Sequence, residues 1–245
     1  MPPPSDRSAF SPLTAAGRQA RVLIVGASRG IGAAAAAHFA PRVERLWSVS
    51  RTPPGHGEWI PADVSSDAGI DAVRAAIGGS PLDALLHLGG TWEAGAFTDD
   101  YRFDRSPPAE IRRVLAVNLI APILLAQALA PNLARAPNPR VVVIGARLGR
   151  DGIEGAEVAN TASKAGLRGA VQALGRALRP RNIGVTLINP GNVATPEVEA
   201  DIAEGRFGPQ TPIPMDDLLA TIVFSLSLSA DAVAEEIDLA QKRPA

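Results

Sequence analysis

Residues 21–40 read RVLIVGASRGIGAAAAAHFA, and three signals follow one another along them. The apolar run from Arg21 to Val25 has the branched, uninterrupted character of a buried strand. Glycines come next at 26, 30 and 32, and an Ala-rich helical stretch then runs to its stop at Pro41. Gly26 permits a tight turn and Gly30 lets an anion approach the backbone. The free N–H groups at the helix start favour negative charge. Gly-Ala-Ser28-Arg29-Gly-Ile31-Gly is therefore read as a phosphate-binding turn. A turn that merely needs small residues is the plainer alternative, and the strand and helix flanking it argue against that.

Outward from this unit the same alternation continues. RLWSVSR (45–51) reads as a second strand and EWIPADV (58–64) as a short third. Residues 67–77 read as a helix, and LDALLHLGG (82–90) as a fourth strand ending at paired glycines. A long helix is expected over 109–133 with a bend at Pro122. RVVVIGA (140–146), a helix over 157–178, IGVTLINPG (183–191), a helix over 215–227 and a last strand in VAEEIDLA (233–240) complete the series. Strands alternating with helices predict one α/β domain over 21–245 with a parallel sheet covered on both faces. The Pro-rich residues 1–20 read as a flexible tail, docked at most through Phe10 or Leu13.

Composition narrows the function. Hydrophobic residues make up 46% of the 245, enough for a sizeable core. With 24 Lys and Arg against 25 Asp and Glu, no charge excess points to nucleic acid or an anionic membrane. The absence of cysteine excludes disulfides, thiol catalysis and thiolate metal sites. His38, His56 and His87 lack metal-ligand spacing, so no metal is expected. No signal peptide and no apolar run of membrane-spanning length is evident, so a cytoplasmic protein is expected.

Several motifs together resemble the short-chain dehydrogenases/reductases, over nearly everything from Arg21 to Leu239. These are the spacing Gly26-x-x-x-Gly30-x-Gly32, ADV at 62–64, HLGG at 87–90, VNLIAP with Asn118, NTASKAGL at 160–167 and NPGNVAT at 189–195. The resemblance implies a Rossmann-type doubly wound sheet of about seven strands in the order 3-2-1-4-5-6-7. It implies that Asp63 and Val64 hold an adenine and that Leu88, Gly89 and Gly90 line the cofactor. It also implies that Pro190, Gly191, Val193 and Thr195 fix a nicotinamide amide.

Charge then selects the cofactor. NAD-binding relatives usually carry an acid at the end of the second strand. Here that strand ends Ser50-Arg51-Thr52, and Arg29 lies in the glycine turn. Two guanidinium groups and hydroxyls suit a 2′-phosphate, so NADP(H) is expected over NAD(H). A merely solvated Arg51 is the alternative.

The reacting end departs from the family. Carbonyl reduction builds negative charge on oxygen. The resemblance implies a Tyr that donates the proton, a Ser that supports the oxygen, a Lys that lowers the Tyr pKa and an Asn that holds a relay water. Lys164 and Asn118 stand at the last two positions, and the Lys is also implied to bond the nicotinamide ribose. The Tyr position is Asn160 and the Ser position is Ala146; a slip of one residue gives Gly145 or Arg147. An amide cannot titrate as an acid. Losing a general acid costs about 10²–10⁴ in rate and an oxyanion donor about 10²–10³. Ordinary ketone reduction is therefore expected to be impaired.

Asn118, Asn160 and Lys164 are the catalytic candidates. Tyr101 and His87 are possible stand-in acids, with packing as the alternative for each. Arg147 could support an oxyanion or pair with Asp151, Glu154 or Glu157, and Trp92 could stack on a ring-shaped substrate or simply pack. Glu197, Glu199, Asp201 and Glu204 sit in the expected lid, 192–214. They point to a basic substrate or to the wet face of a short helix.

Three functions follow. The first is a reductase of an imine or activated double bond. The second is a catalytically inactive cofactor-binding partner or regulator of an active homologue. The third is a non-redox cyclase or lyase in the same pocket. A small-molecule substrate is expected. So is assembly through the two long helices, as a homodimer, a homotetramer or a hetero-oligomer with an active homologue.

Overall fold

The computed structural model describes residues 14–15, 18–147, 156–207 and 210–242. Phe10, Leu13, Asp151 and Glu154 lie outside them. A small antiparallel hairpin, β1 (Thr14–Ala15) and β2 (Arg18–Gln19), precedes the main unit. Seven parallel strands follow: β3 (Arg21–Val25), β4 (Arg45–Ser50), β5 (Glu58–Pro61), β6 (Ala84–His87), β7 (Arg140–Ile144), β8 (Gly184–Pro190) and β9 (Glu236–Leu239). Their order across the sheet is β5-β4-β3-β6-β7-β8-β9, the doubly wound arrangement expected.

The strands are apolar on both sides because helices cover both faces. Leu23, Val25, Leu85, Val141 and Val143 pack toward α2 (Asp67–Ile77), α4 (Ala121–Leu133) and α5 (Val158–Leu178). Val22, Ile24, Leu86 and Val142 point the other way, toward α1 (Gly30–Phe39) and α7 (Met215–Ser227). Chain order reverses between β3 and β6, and this opens a crevice at the carboxyl ends of the strands. Gly26, Ser50, His87, Ile144 and Pro190 all reach that edge.

One expectation is refined and one corrected. The long helix is α-helical on both sides, α3 (Pro108–Leu115) and α4, of a π-helical turn, Ala116–Ile120, that ends just before Pro122 and in which the Ala121 N–H bonds the carbonyl of Ala116. Pro122 sits in the first turn of α4 and has no N–H to give the preceding turn, in keeping with the wider winding there. The wider turn carries the buried Asn118. An 18-residue window within Pro108–Leu133 is also apolar enough to cross a bilayer by length and composition, with mean hydropathy 2.0. Part of it is core: Leu125, Leu129 and Leu133 are fully enclosed between helices and sheet, and 44% of the window is buried.

Candidate active site

The crevice is a cavity of about 890 Å³. Its first half is built by backbone closeness. Gly26 has φ +87°, and a Cβ there would overlap the backbone of Gly89. Gly30, with φ +52°, opens α1, and a Cβ on it would meet nothing nearer than Glu197 Oε2 and Thr195 Cγ2 at 3.8 Å. No side chain caps α1 and its first turn has no acid, which leaves its first N–H groups available to an anion where Gly30 and Ile31 line the cavity. Ser28, Arg29, Ile31, Ser50, Arg51, Asp63, Val64, Leu88, Gly89, Gly90, Pro190, Gly191, Val193 and Thr195 line this space.

Gly32 and Thr52 do not line it. A Cβ on Gly32 would overlap the Gly26 carbonyl, so this glycine seats the helix on the turn. Thr52 is exposed and offers its carbonyl to Ser50 Oγ at 2.6 Å. Asp63 Oδ1 accepts from Ser65 Oγ at 2.7 Å and Ser65 N at 3.0 Å. These bonds, with the charges of Arg51 and Arg113, hold its pKa below the ordinary carboxylate range. Arg29 Nη1 lies 3.7 Å from Glu197 on α6 (Pro196–Ala203). Of the four lid acids, Glu197 and Asp201 line the cavity, while Glu199 and Glu204 are exposed to solvent.

The second half is built around α5. Asn160 and Lys164 lie one turn apart and both line the cavity. Lys164 Nζ donates to the Ile144 carbonyl at 3.3 Å, and burial lowers its pKa to about 8. Asn118 Oδ1 accepts from Thr91 N at 2.9 Å. Its Nδ2 donates to Thr91 O at 2.7 Å, to Ser163 Oγ at 3.1 Å and, at the 3.5 Å limit, to Asn160 Oδ1. His87 ends β6 in the cavity wall. Burial, then the nearby charge of Lys164, lowers its pKa to about 3, and its Nε2 is buried without a hydrogen-bond partner. Ala146 follows Gly145, where a Cβ would overlap Asn189 Oδ1. Ala146 and Arg147 line the cavity, and Arg147 is exposed to solvent.

Tyr101 takes another place. Its hydroxyl accepts from Val158 N at 3.1 Å, and the ring is outside the cavity lining. Glu93, buried, accepts from Ala159 N at 2.6 Å and from Asn160 N at 3.2 Å. The loop after β6 thus satisfies the first three N–H groups of α5. Glu157, also buried, accepts from Phe97 N at 2.8 Å and lines the cavity. Trp92 and Phe97 meet edge to face at 5.9 Å, and Phe97 meets Phe207 at 5.8 Å. These three rings form one wall of the cavity. Glu93, Phe97 and Phe207 were not foreseen, and Glu157 was foreseen only as a partner for Arg147. Glu157 could have been singled out by its spacing, since 157, 160 and 164 share one helix face.

Residues 20–205 match the short chain dehydrogenase family. Protein FixR of Bradyrhizobium diazoefficiens is 30% identical over 226 residues, covering 85% of this chain and 80% of that protein. The 3-oxoacyl-[acyl-carrier-protein] reductase FabG of Escherichia coli is 27% identical over 206 residues, covering 78% of this chain and 81% of that one. A metagenomic short-chain oxidoreductase in complex with NADP superposes with TM-score 0.72 at 26% identity, covering 91% of this chain and 98% of that one. The chain belongs to the short-chain dehydrogenase family.

Proposed function

We propose that the chain is an NADP(H)-dependent oxidoreductase with a non-standard reacting site, which reduces an imine or an activated double bond. One observation carries this reading. A single cavity joins a glycine-built dinucleotide cradle to Asn160 and Ala146, which we read as the counterparts of the family's acid and hydroxyl. The cradle fits the group: the Gly26–Gly89 approach admits no Cβ, the α1 N–H groups are uncapped, and the volume suits a nucleotide. The NADP bound by the metagenomic relative supports the same assignment.

Arg29 and Arg51 would take the 2′-phosphate, Asp63 and Val64 the adenine, Lys164 the ribose hydroxyls, and Val193 and Thr195 the carboxamide. When bound, the reduced dinucleotide supplies a hydride. Asn160 can then donate or accept a hydrogen bond but has no proton to release. His87 is neutral at physiological pH, so it is no acid either. A substrate that arrives already protonated, as an iminium does, needs neither.

NADPH oxidation should therefore run about 10²-fold faster with cyclic imines than with matched ketones. Brisk ketone turnover would overturn the reading. A second reading, a cofactor-holding partner of an active homologue, is favoured by the apolar Ile120 and Val158, 47% and 45% exposed on the two long helical segments. It predicts no turnover together with a stable complex on co-expression.

A further inference from the structure

The second half of the cavity pairs aromatic rings with a buried carboxylate. Glu157 is 5% exposed and stands one turn before Asn160. It has no ion-pair partner among the described residues. The other acids nearby are engaged. Glu93 accepts from the α5 backbone, and Asp201 pairs with Arg206 at 2.8 Å. Glu157 is not needed as a helix cap, because Glu93 and Tyr101 already take the free N–H groups of α5.

Of the cations on the cavity wall, Lys164 lies buried one turn beyond Asn160 and is turned to the Ile144 carbonyl, and the others lie elsewhere or are solvated. Arg113 donates to Thr91 Oγ1 and projects its charge toward Asp63. Arg147 is exposed, so water and salt screen it.

Phe97 adds an independent observation. Its φ of +65° lies in the left-handed region, which bulky residues avoid, and the Glu157 carboxylate holds its N–H there. That conformation places the Phe97 ring between Trp92 and Phe207. A carboxylate has about four acceptor sites, so one bond to Phe97 leaves room for another partner.

We infer that Glu157 and the rings of Trp92, Phe97 and Phe207 form a subsite for an organic cation, an iminium or protonated amine held beside Asn160. As a substrate subsite it rests on the redox reading above; as a binding site it does not. Ring faces attract a cation through their quadrupole, and a desolvated carboxylate completes the counter-charge.

The test uses the protein saturated with NADP+, so that no hydride is available. Titration calorimetry compares N-methylisoquinolinium with isoquinoline at a pH where the latter is neutral. The wild type should bind the cation about tenfold more tightly, and Glu157→Gln should abolish the preference. Glutamine can still accept from Phe97 N, so the thermal midpoint and NADP+ affinity should be unchanged. Should that variant not fold, Trp92→Ala, at a half-exposed ring, should cut cation affinity several-fold and leave NADP+ binding intact. Equal affinity of the wild type for the two probes overturns the subsite, as does a preference that survives Glu157→Gln. A Glu157-dependent preference without turnover of any imine keeps the subsite and removes the redox reading. Imine turnover indifferent to charge keeps the redox reading and removes the subsite.

Discussion

His87 and Lys164 share one buried corner, and burial holds both toward their neutral forms. For His87 the folded value of about 3 lies below the ordinary 6.5. Between those values the unfolded chain binds the extra proton, so stability is lost as pH falls through that window. His87→Asn should remove this loss, which amounts to roughly a few kcal/mol for a shift of this size. Urea unfolding from neutral to acid pH measures it, and parallel wild-type and variant profiles would disprove it. Lys164 gives the second prediction. An anionic dinucleotide favours the protonated amine, so NADPH affinity should weaken as pH rises past about 8, the lowered pKa. Lys164→Met should bind more weakly and lose that pH dependence. At this scale the closeness of Asn118, Asn160 and Lys164 was legible, because each sits in a local motif. Glu93 was not, because its partners, Ala159 and Asn160, lie 66 and 67 residues away.

At the scale of elements, periodicity located the helices and tertiary contacts set their ends. Residues 67–77 were read as a helix from apolar spacing, and α2 spans Asp67–Ile77 with Ser66 Oγ accepting from Gly69 N. The start of α5 was legible within one residue, yet none of its caps was. They come from a loop that sequence shows only as a stretch between strand and helix. Glu93→Ala leaves two buried N–H groups unpaired and should cost about 1–3 kcal/mol in urea unfolding. Tyr101→Phe removes one bond at a partly exposed site and should cost about 1 kcal/mol or less. Imine turnover should survive it; a hundredfold loss with unchanged stability would make Tyr101 the acid after all. The turn between α3 and α4 shows what a local signal does give: Pro122 marks it, while the bond from Asn118 on that turn to Ser163 of α5 is visible only in the fold.

On the scale of the whole molecule, the sheet order was legible because each strand is a separate apolar run and the glycine turn marks the first one. The aromatic wall of the cavity's second half was not, apart from Trp92, because it gathers the loop after β6, the start of α5 and the segment after α6 at one end of the crevice. The same arrangement makes cofactor choice measurable through global stability. A ligand that binds only the folded state at about 100 times its Kd adds about 2.7 kcal/mol. For a chain of this size that raises the thermal midpoint by several degrees. NADPH should raise it more than NADH at equal concentration, since only NADPH offers a 2′-phosphate to Arg29 and Arg51. Replacing both arginines by alanine should bring the NADPH shift down to the NADH shift. Glu197→Gln should act in the opposite direction, because Glu197 now shares Arg29 across the mouth of the α1 turn. That pair is exposed, so its release is worth about 1 kcal/mol or less, up to about fivefold in NADPH affinity. NADH should barely respond to either change. A wild type stabilised more by NADH, or by neither nucleotide, would reject the NADP(H) assignment.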